Sequence, residues 1–445
     1  KGPGAVQVRY GDLVIGQALD REATGQVPLK PASEHRLMGR SVPRPDIRDK
    51  VMGLAIFVQE MRLPGMVYGQ VVRPPTYGAR LKALPSAEVE RMPGVIKVVR
   101  DGSFVGVVAE RIEQAQAAAQ ALAQAARWDV PKALPKQAEL AQWLRQAPSR
   151  LIETKRQVRG SGEAVAKTMR ATYFRPYQMH ASIGTSAAIA TWRDGSLLVQ
   201  THSQSVFETR QAIAAMLRLP LAQVRLQHVQ GSGCYGHNMA DDAAADAALL
   251  AMAVPGRPIK LQYTREQEHR FEPYGSAMLI DVQAGVDEKG NVLDWDFQIR
   301  SMPHGTRPQG HAGNLQSALY LAQAFEQPVP TNAGGPNYAA DRNGIALYDF
   351  PGHQVLTHFI TQMPLRVSSH RGLGAYANVY AIESFMDELA HAAGVDPLDY
   401  RLRFLKDPRG RDALNEAAKA FGWSRWQKRP GHGRGIAFAR YKNIA

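Results

Sequence analysis

The chain has 445 residues, 44% hydrophobic and 21% charged. That globular balance excludes a largely disordered polymer and, at roughly 150 residues per domain, predicts two or three domains. No apolar run reaches the ~18–20 residues of a membrane span. The single cysteine, Cys234, excludes an internal disulfide framework, a multi-cysteine zinc site and an iron–sulfur cluster held by this chain alone. Lys and Arg number 54 against 40 Asp and Glu, a net charge of +14. They are spread without a block of like charge or a nucleic-acid fingerprint, so the charge reads as a basic solvated surface and not as a nucleic-acid face.

The chain opens at Lys1-Gly2-Pro3-Gly4 without an initiator methionine and ends just after a strand-like Gly435-Ile436-Ala437-Phe438-Ala439; both ends are expected to be cut. The stretch to about Pro31 is thin in core residues, and Pro43-Arg44-Pro45-Asp46 breaks the chain. Met66–Val72 is an apolar run suited to a buried strand. Gly94–Val99 and Phe104–Val108 are β-branched runs joined by the turn Arg100-Asp101-Gly102. Ala115–Ala126, nearly pure Ala, Gln and Leu, predicts a helix. The basic segment Arg150–Arg159, followed by Gly160-Ser161-Gly162, predicts a flexible linker. Beyond it, strands are expected at Ala187–Trp192 and Leu197–Gln200, joined by the turn Arg193-Asp194-Gly195, and at Val224–Val229, Ile259–Tyr263, Ala277–Gly285 and Val292–Ile299. Helices are expected at Val206–Leu219, Ala243–Met252 and Ala377–Ala393, the last stopping at Gly394 before Asp396-Pro397 starts another. Residues 303–345 lack a period, and so long an irregular stretch is usually functional or wraps another chain. Helix and strand are mixed without a strict βαβ repeat, which predicts an α+β fold.

The loop Gly231-Ser232-Gly233-Cys234-Tyr235-Gly236-His237-Asn238 lies between a strand and a helix. Its glycines expose backbone N–H groups next to a helix N-terminus, which suits an anion or a metal-oxo group; a plain glycine turn is the alternative. Its spacing lacks the strand context of a dinucleotide-binding fingerprint. Asp241-Asp242 fit a helix N-cap better than a catalytic pair. His370-Arg371-Gly372-Leu373-Gly374 sets a cation beside exposed backbone, suited to an anionic ligand or simply a surface turn. Gln178-Met179-His180 and Thr201-His202-Ser203-Gln204 read first as satisfied buried polar groups. Thirteen histidines show no tight ligand spacing, so no metal ligand is assigned to the protein. Cys234 could be an activated thiol, but a small packed thiol is the plainer reading.

Taken in order, these segments resemble the molybdopterin-binding large subunit of the xanthine dehydrogenase (molybdenum hydroxylase) family, and within it the bacterial isoquinoline and nicotinate dehydrogenase type. The first half resembles the hammerhead domain through Gly39, Pro43-Arg44-Pro45-Asp46, Lys50, Gly53-Leu54-Ala55, Leu63-Pro64-Gly65-Met66, Val72-Arg73-Pro74-Pro75 and Pro93-Gly94-Val95. The resemblance implies an N-terminal extension over 1–44, an α/β hammerhead domain over 45–155 and an incomplete cofactor-binding domain over 156–445. It implies that Gln204 orients the apical ligand of a molybdenum–molybdopterin cofactor in its cytosine dinucleotide form. Gly231, Gly233, Cys234, Tyr235, Gly236, Arg371 and Gly372 would hold that cofactor, and Asn238 and Leu373 would face the substrate. Asn238 stands where purine oxidisers have a glutamate, which argues against a purine.

The implied reaction hydroxylates an N-heteroaromatic ring or oxidises an aldehyde, with water as oxygen source and electrons leaving to a small [2Fe-2S] subunit. A C-terminal companion chain and a cytochrome c acceptor fit the same picture. No acid matches the family's catalytic glutamate, which lies downstream of the residues present. A non-catalytic cofactor- or partner-binding half is the alternative. The compartment stays open between the cytoplasm and the periplasmic face of the inner membrane.

Overall fold

The structure is a computed structural model that describes residues 8–17, 22, 24–54, 56–131, 134–160, 162–331 and 339–443. The sequence readings at Lys1–Gly4, at Ser161 and over 332–338 lie outside the described residues. The chain forms two compact units, Lys1–Leu54 and Ala55–Ala445. The first holds two 3-10 turns, Tyr10–Val14 and Ala32–Glu34, and a short helix α1 (Ile47–Val51) with no buried residue. Asp46 there receives Arg44 Nη2 and Lys50 Nζ, each at 2.5 Å.

The second unit carries a seven-stranded sheet in the order Val224–His228, Ser196–Thr201, Ala187–Arg193, Ile259–Gln262, Val67–Val72, Phe104–Ala109, Val95–Asp101. Its strands come from both sides of residue 155, because Val67–Val72 pairs in parallel with Ile259–Gln262. Successive side chains of Phe104–Ala109 point to opposite faces. Phe104 and Val108 meet helix α5 (Ala240–Ala253) in one apolar cluster, and Val105 and Val107 meet α2 (Ile112–Ala125) in another. Cover on both faces explains why this run is continuously apolar. The predicted turn Arg193-Asp194-Gly195 is a tight hairpin with positive φ at Asp194 (49°) and Gly195 (73°).

A five-stranded sheet runs Arg150–Gln157, Gly352–Phe359, Val292–Ser301, Met278–Val286, Lys167–Arg175. Helices α3 (Leu140–Gln146) and α7 (Ala375–Ala392) pack on it, with α8 (Pro397–Phe404) and α9 (Pro408–Phe421) beyond α7. Helices α4 (Val206–Leu217) and α6 (Arg265–Phe271) complete the unit.

The mixed α+β class holds. The linker expected at Arg150–Arg159 does not, since Arg150–Gln157 is an edge strand antiparallel to Gly352–Phe359. Its partner lies far along the chain; Arg150 and Arg156 are exposed and Lys155 is half-buried. The strand-like Gly435–Ala439 is irregular, with Phe438 N donating to Glu383 Oε2 at 3.0 Å instead of joining a sheet. Among the described residues, no helix is long and apolar enough to cross a membrane.

Candidate functional site: an acid-free cavity between two glycine loops

The two loops singled out in the sequence meet. Gly236 forms an antiparallel bridge with His370, and His237 N donates to Ser369 O at 2.7 Å. This approach needs glycine. Gly236 has φ 133°, and a Cβ there would collide with the Ser369 carbonyl oxygen. Gly231 is likewise pressed against the His202 ring. On the far side, Gly374 N donates to Ala339 O at 3.2 Å, and Arg175 Nη1 holds the Leu373 carbonyl at 2.8 Å. One wall of the site is therefore mainly backbone, fastened at both edges.

Side chains build the other wall. Gln204 follows the strand Ser196–Thr201, and its Oε1 accepts from Arg307 Nη2 at 2.7 Å. With the carbonyl engaged, the Gln204 amide NH2 is left to donate. Helix α5 anchors both walls. Its Asp241 accepts from Ser203 Oγ at 2.5 Å and from Thr209, and stands 2.8 Å from His237 Nε2. Burial pushes the Asp241 carboxyl up, but the His237 ring and the two hydroxyls more than offset it and hold the group below the usual carboxylate range. Burial also lowers His237, against the pull of Asp241. Asp242 accepts from Arg366 Nη1 at 2.7 Å and from Gln316 N at 2.8 Å, and Arg366 Nη2 reaches Asn314 O at 3.0 Å.

Between the walls lies a cavity of about 840 Å³. Gln204, Tyr235, Gly236, Arg371 and Leu373 line it, so five of the expected residues come together. Arg307, Arg342, His304, His311 and His370 line it too, and no Asp or Glu is among the described lining residues. Burial, helped by His180 and Arg175, pushes His370 down to about 4, and burial holds His304 well below its ordinary value. Both rings are neutral near pH 7, and Arg307, Arg342 and Arg371 bring three guanidiniums to the wall. A concave, cationic, acid-free site favours a polyanionic guest such as a pyrophosphate. The arrangement fits a pterin cofactor held by arginines, backbone amides and the Gln204 amide.

Other expected residues fall elsewhere. Gly231, Gly233, Cys234 and Gly372 shape the loops without lining the cavity. The Cys234 thiol donates to Gly236 O at 2.9 Å and burial pushes its pKa up, the opposite of an activated nucleophile. Asn238, expected at the substrate, is buried instead. Its Nδ2 donates to Ser182 Oγ at 3.3 Å and its Oδ1 accepts from Ala240 N at 3.1 Å, so both ends of the amide fix the loop. Asp241 and Asp242 are not N-caps, because α5 begins at Ala240 and both lie buried in its first turn. Their charge still suits that end of the helix. Sequence reasoning missed Arg307, Arg342 and His304. Their only signal was the long irregular stretch that carries them.

A molybdopterin cofactor-binding domain is matched over residues 145–321. The chain is 38% identical to a nicotinate dehydrogenase subunit of Pseudomonas putida, over 97% of this chain and 37% of that one. It is 25% identical to the beta subunit of isoquinoline 1-oxidoreductase of Brevundimonas diminuta, over 97% of this chain and 54% of that one. The chain thus spans roughly a third to a half of these relatives' length. Its fold matches quinoline 2-oxidoreductase from Pseudomonas putida with a TM-score of 0.68 at 16% identity, covering 87% of this chain and 54% of that one. Aldehyde oxidoreductase from Desulfovibrio gigas follows at 0.66, with 19% identity over 86% of this chain and 46% of that one. Along nearly its whole length the chain is thus similar to parts of the nicotinate dehydrogenase and isoquinoline 1-oxidoreductase subunits, and over residues 145–321 it matches a molybdopterin cofactor-binding domain.

Proposed function

We propose that this chain supplies the cofactor cavity of an oxidoreductase that hydroxylates an N-heteroaromatic ring of the nicotinate or isoquinoline kind, or oxidises an aldehyde, with water as oxygen source. The observation that carries the reading is the acid-free cavity formed where the Gly231–His237 and His370–Gly374 loops meet. Residues 45–155 would serve as the hammerhead domain and 156–445 as cofactor-binding domain. Arg371 and the backbone of Tyr235 and Gly236 would hold the cofactor, in its cytosine dinucleotide form, with Arg307 and Arg342 neutralising phosphate charge. Gln204, oriented by Arg307, would donate to the cofactor's apical oxygen. Leu373 would face the substrate, whereas Asn238 keeps the loop in place. When bound, the group supplies the two-electron oxidation that side chains cannot. Electrons would pass to a separate [2Fe-2S] subunit and on to an acceptor such as a cytochrome c.

A second reading, a cofactor- or partner-binding part without turnover of its own, is favoured by one observation. The described residues lining the cavity offer cations and amides but no carboxylate to act as general base.

The test is co-production with the iron–sulfur partner in a host that makes the cofactor. Molybdenum and pterin content would be measured, with dye reduction by nicotinate, isoquinoline and benzaldehyde. Gln204→Ala should keep its cofactor and lose about one to three decades of turnover, the scale of one preorganised hydrogen bond. Arg371→Gln should lose cofactor. Wild-type levels of cofactor in Arg371→Gln, or an empty wild type, would sink the assignment of the cavity.

A further inference from the structure

Arg175 ends the strand Lys167–Arg175 and is only 4% exposed. Its Nη1 donates to Leu373 O at 2.8 Å and lies 3.9 Å from Met278 Sδ. Its Nε and Nη2 are buried without a hydrogen-bond partner. Nη2 faces Gly275, where a Cβ would come within 2.7 Å of it and of His370 Cβ. The guanidinium carbon stands 5.2 Å from the centre of the Tyr376 ring. The charged group is therefore sealed inside the protein. Burial lowers its pKa to about 10, so it stays charged near neutrality.

Other buried arginines are answered by acids: Arg73 by Asp246 at 2.6 Å, Arg366 by Asp242 at 2.7 Å and Arg401 by Glu383 at 2.8 Å. Arg175 forms no ion pair among the described residues. The titratable groups that share its field are Tyr376, His304 and His370, and none is a carboxylate. A buried cation without a counter-charge is costly, and the cost is offset when an anion comes within range of the charge.

The large cavity is the place for that anion. Arg175 does not line it, but Leu373, His304 and His370 do. One residue of wall, Leu373, separates the guanidinium from the cavity. The charge is felt in the lining: after burial for His304, and after burial and His180 for His370, Arg175 lowers both rings. The same arginine also shapes the loop. Arg371 and Gly372 form the corner of a turn closed by Leu373 N on His370 O at 2.8 Å. Leu373 itself has φ 53°, a left-handed conformation that a leucine keeps only under restraint. The bond from Arg175 to its carbonyl supplies one.

We propose that Arg175 is a positioning residue for the anionic guest of the cavity, acting through the Leu373 carbonyl and through its own charge without touching the guest. This rests on the reading of that cavity as a cofactor site. The unanswered charge is a cost carried by the empty protein and relieved when the guest binds, so Arg175 favours the loaded state over the empty one.

The test is calorimetric titration of the purified chain with inorganic pyrophosphate, alongside thermal melting of the empty chain. Arg175→Met should weaken pyrophosphate about tenfold, the scale of one charge acting across several ångströms of protein. Without pyrophosphate the same variant should melt no lower than wild type, because it sheds an unanswered buried charge along with one hydrogen bond. An arginine with a merely structural role would lower the melting temperature and leave affinity alone. Arg175→Lys, which keeps the charge, should keep most of the affinity. Arg127→Gln, an exposed arginine of the strand Arg127–Asp129, should change nothing, which separates the effect from a general loss of net charge. Wild-type affinity in Arg175→Met, a lowered melting temperature or failure of that variant to fold, affinity in Arg175→Lys as weak as in Arg175→Met, or equal weakening in Arg127→Gln would each overturn the proposal. Binding lost in Arg371→Gln but intact in Arg175→Met would leave the cavity reading standing and remove this inference alone. A wild type that does not bind pyrophosphate would remove both.

Discussion

Helices α5 and α7 cover different sheets and solve the task in opposite ways. α5 buries Ala243, Ala244, Ala245, Ala247, Ala248 and Ala251, side chains with little volume, together with three aspartates. Each aspartate faces away from its own helix: Asp241 to Ser203 and His237, Asp242 to Arg366, Asp246 to Arg73 and Tyr263. α7 buries Ile382, Phe385, Met386 and Leu389 against Trp295, Phe297 and Phe350, with Trp295 and Phe385 ring centres 5.5 Å apart. Its one buried acid, Glu383, holds Arg401 of α8, Tyr348 and the backbone of Phe438. Apolar volume stabilises the α7 side directly. Buried ion pairs on the α5 side contribute little net stability but are expensive to break, and they fix geometry. The cavity is built on the second kind of support.

Breaking an α5 pair should have the largest effect. Asp242→Asn leaves Arg366 buried without its counter-charge and should cost about 3–5 kcal/mol. It should also free the Asn314 segment at the edge of the cavity. Urea denaturation measures the first, and faster proteolysis near Asn314 the second; a loss below about 1 kcal/mol would erase the contrast between the helices. On the α7 side, Phe385→Ala should lose a comparable or slightly smaller about 3–4 kcal/mol through an unfilled cavity. Cofactor content should be unchanged, and parallel loss of cofactor would show that the two supports are not separate.

Acid sharpens the comparison further. Burial pushes His202, beside the Gly231 loop, down to about 4, and His353, in the five-stranded sheet, down to about 3. Both folded values lie below the ordinary value of 6.5, so between that value and the folded pKa the unfolded chain binds protons that the folded chain refuses. Their stabilisation is complete above pH 6.5 and is lost as pH falls. At pH 4.5 each should have lost about 2–3 kcal/mol. Denaturation at pH 7 and pH 4.5 tests the sum, and His202→Gln or His353→Gln should each flatten the slope. The smallest effect belongs to Cys234→Ser, which should change stability by less than about 1 kcal/mol and preserve substantial turnover in the assembled enzyme. Loss of activity with molybdenum retained would restore the thiol as a reacting group.

Strand and helix patterns were legible wherever local periodicity decided them. Phe104–Ala109, the Asp194-Gly195 turn and the stop of α7 at Gly394 needed nothing beyond neighbouring residues. Arg150–Gln157 was not, because a basic edge strand is specified by a partner distant in the sequence. The site divides in the same way. Gly236 and Arg371 could be named from motifs, but only the fold shows Gly236 against Ser369. Asp241 looked like a cap because caps and buried hubs share a residue type and a place at a helix start. Only its contacts separate the two.

The bond from His237 N to Ser369 O joins loops that have little else to hold their backbones together. An amide in such a bond exchanges its hydrogen with solvent only when the loops part. The single His237 amide is therefore a built-in clock for the seam. Its exchange rate reports how often the mouth of the cavity opens in the resting protein, and slowing of that rate by a bound guest would read out occupancy without any turnover.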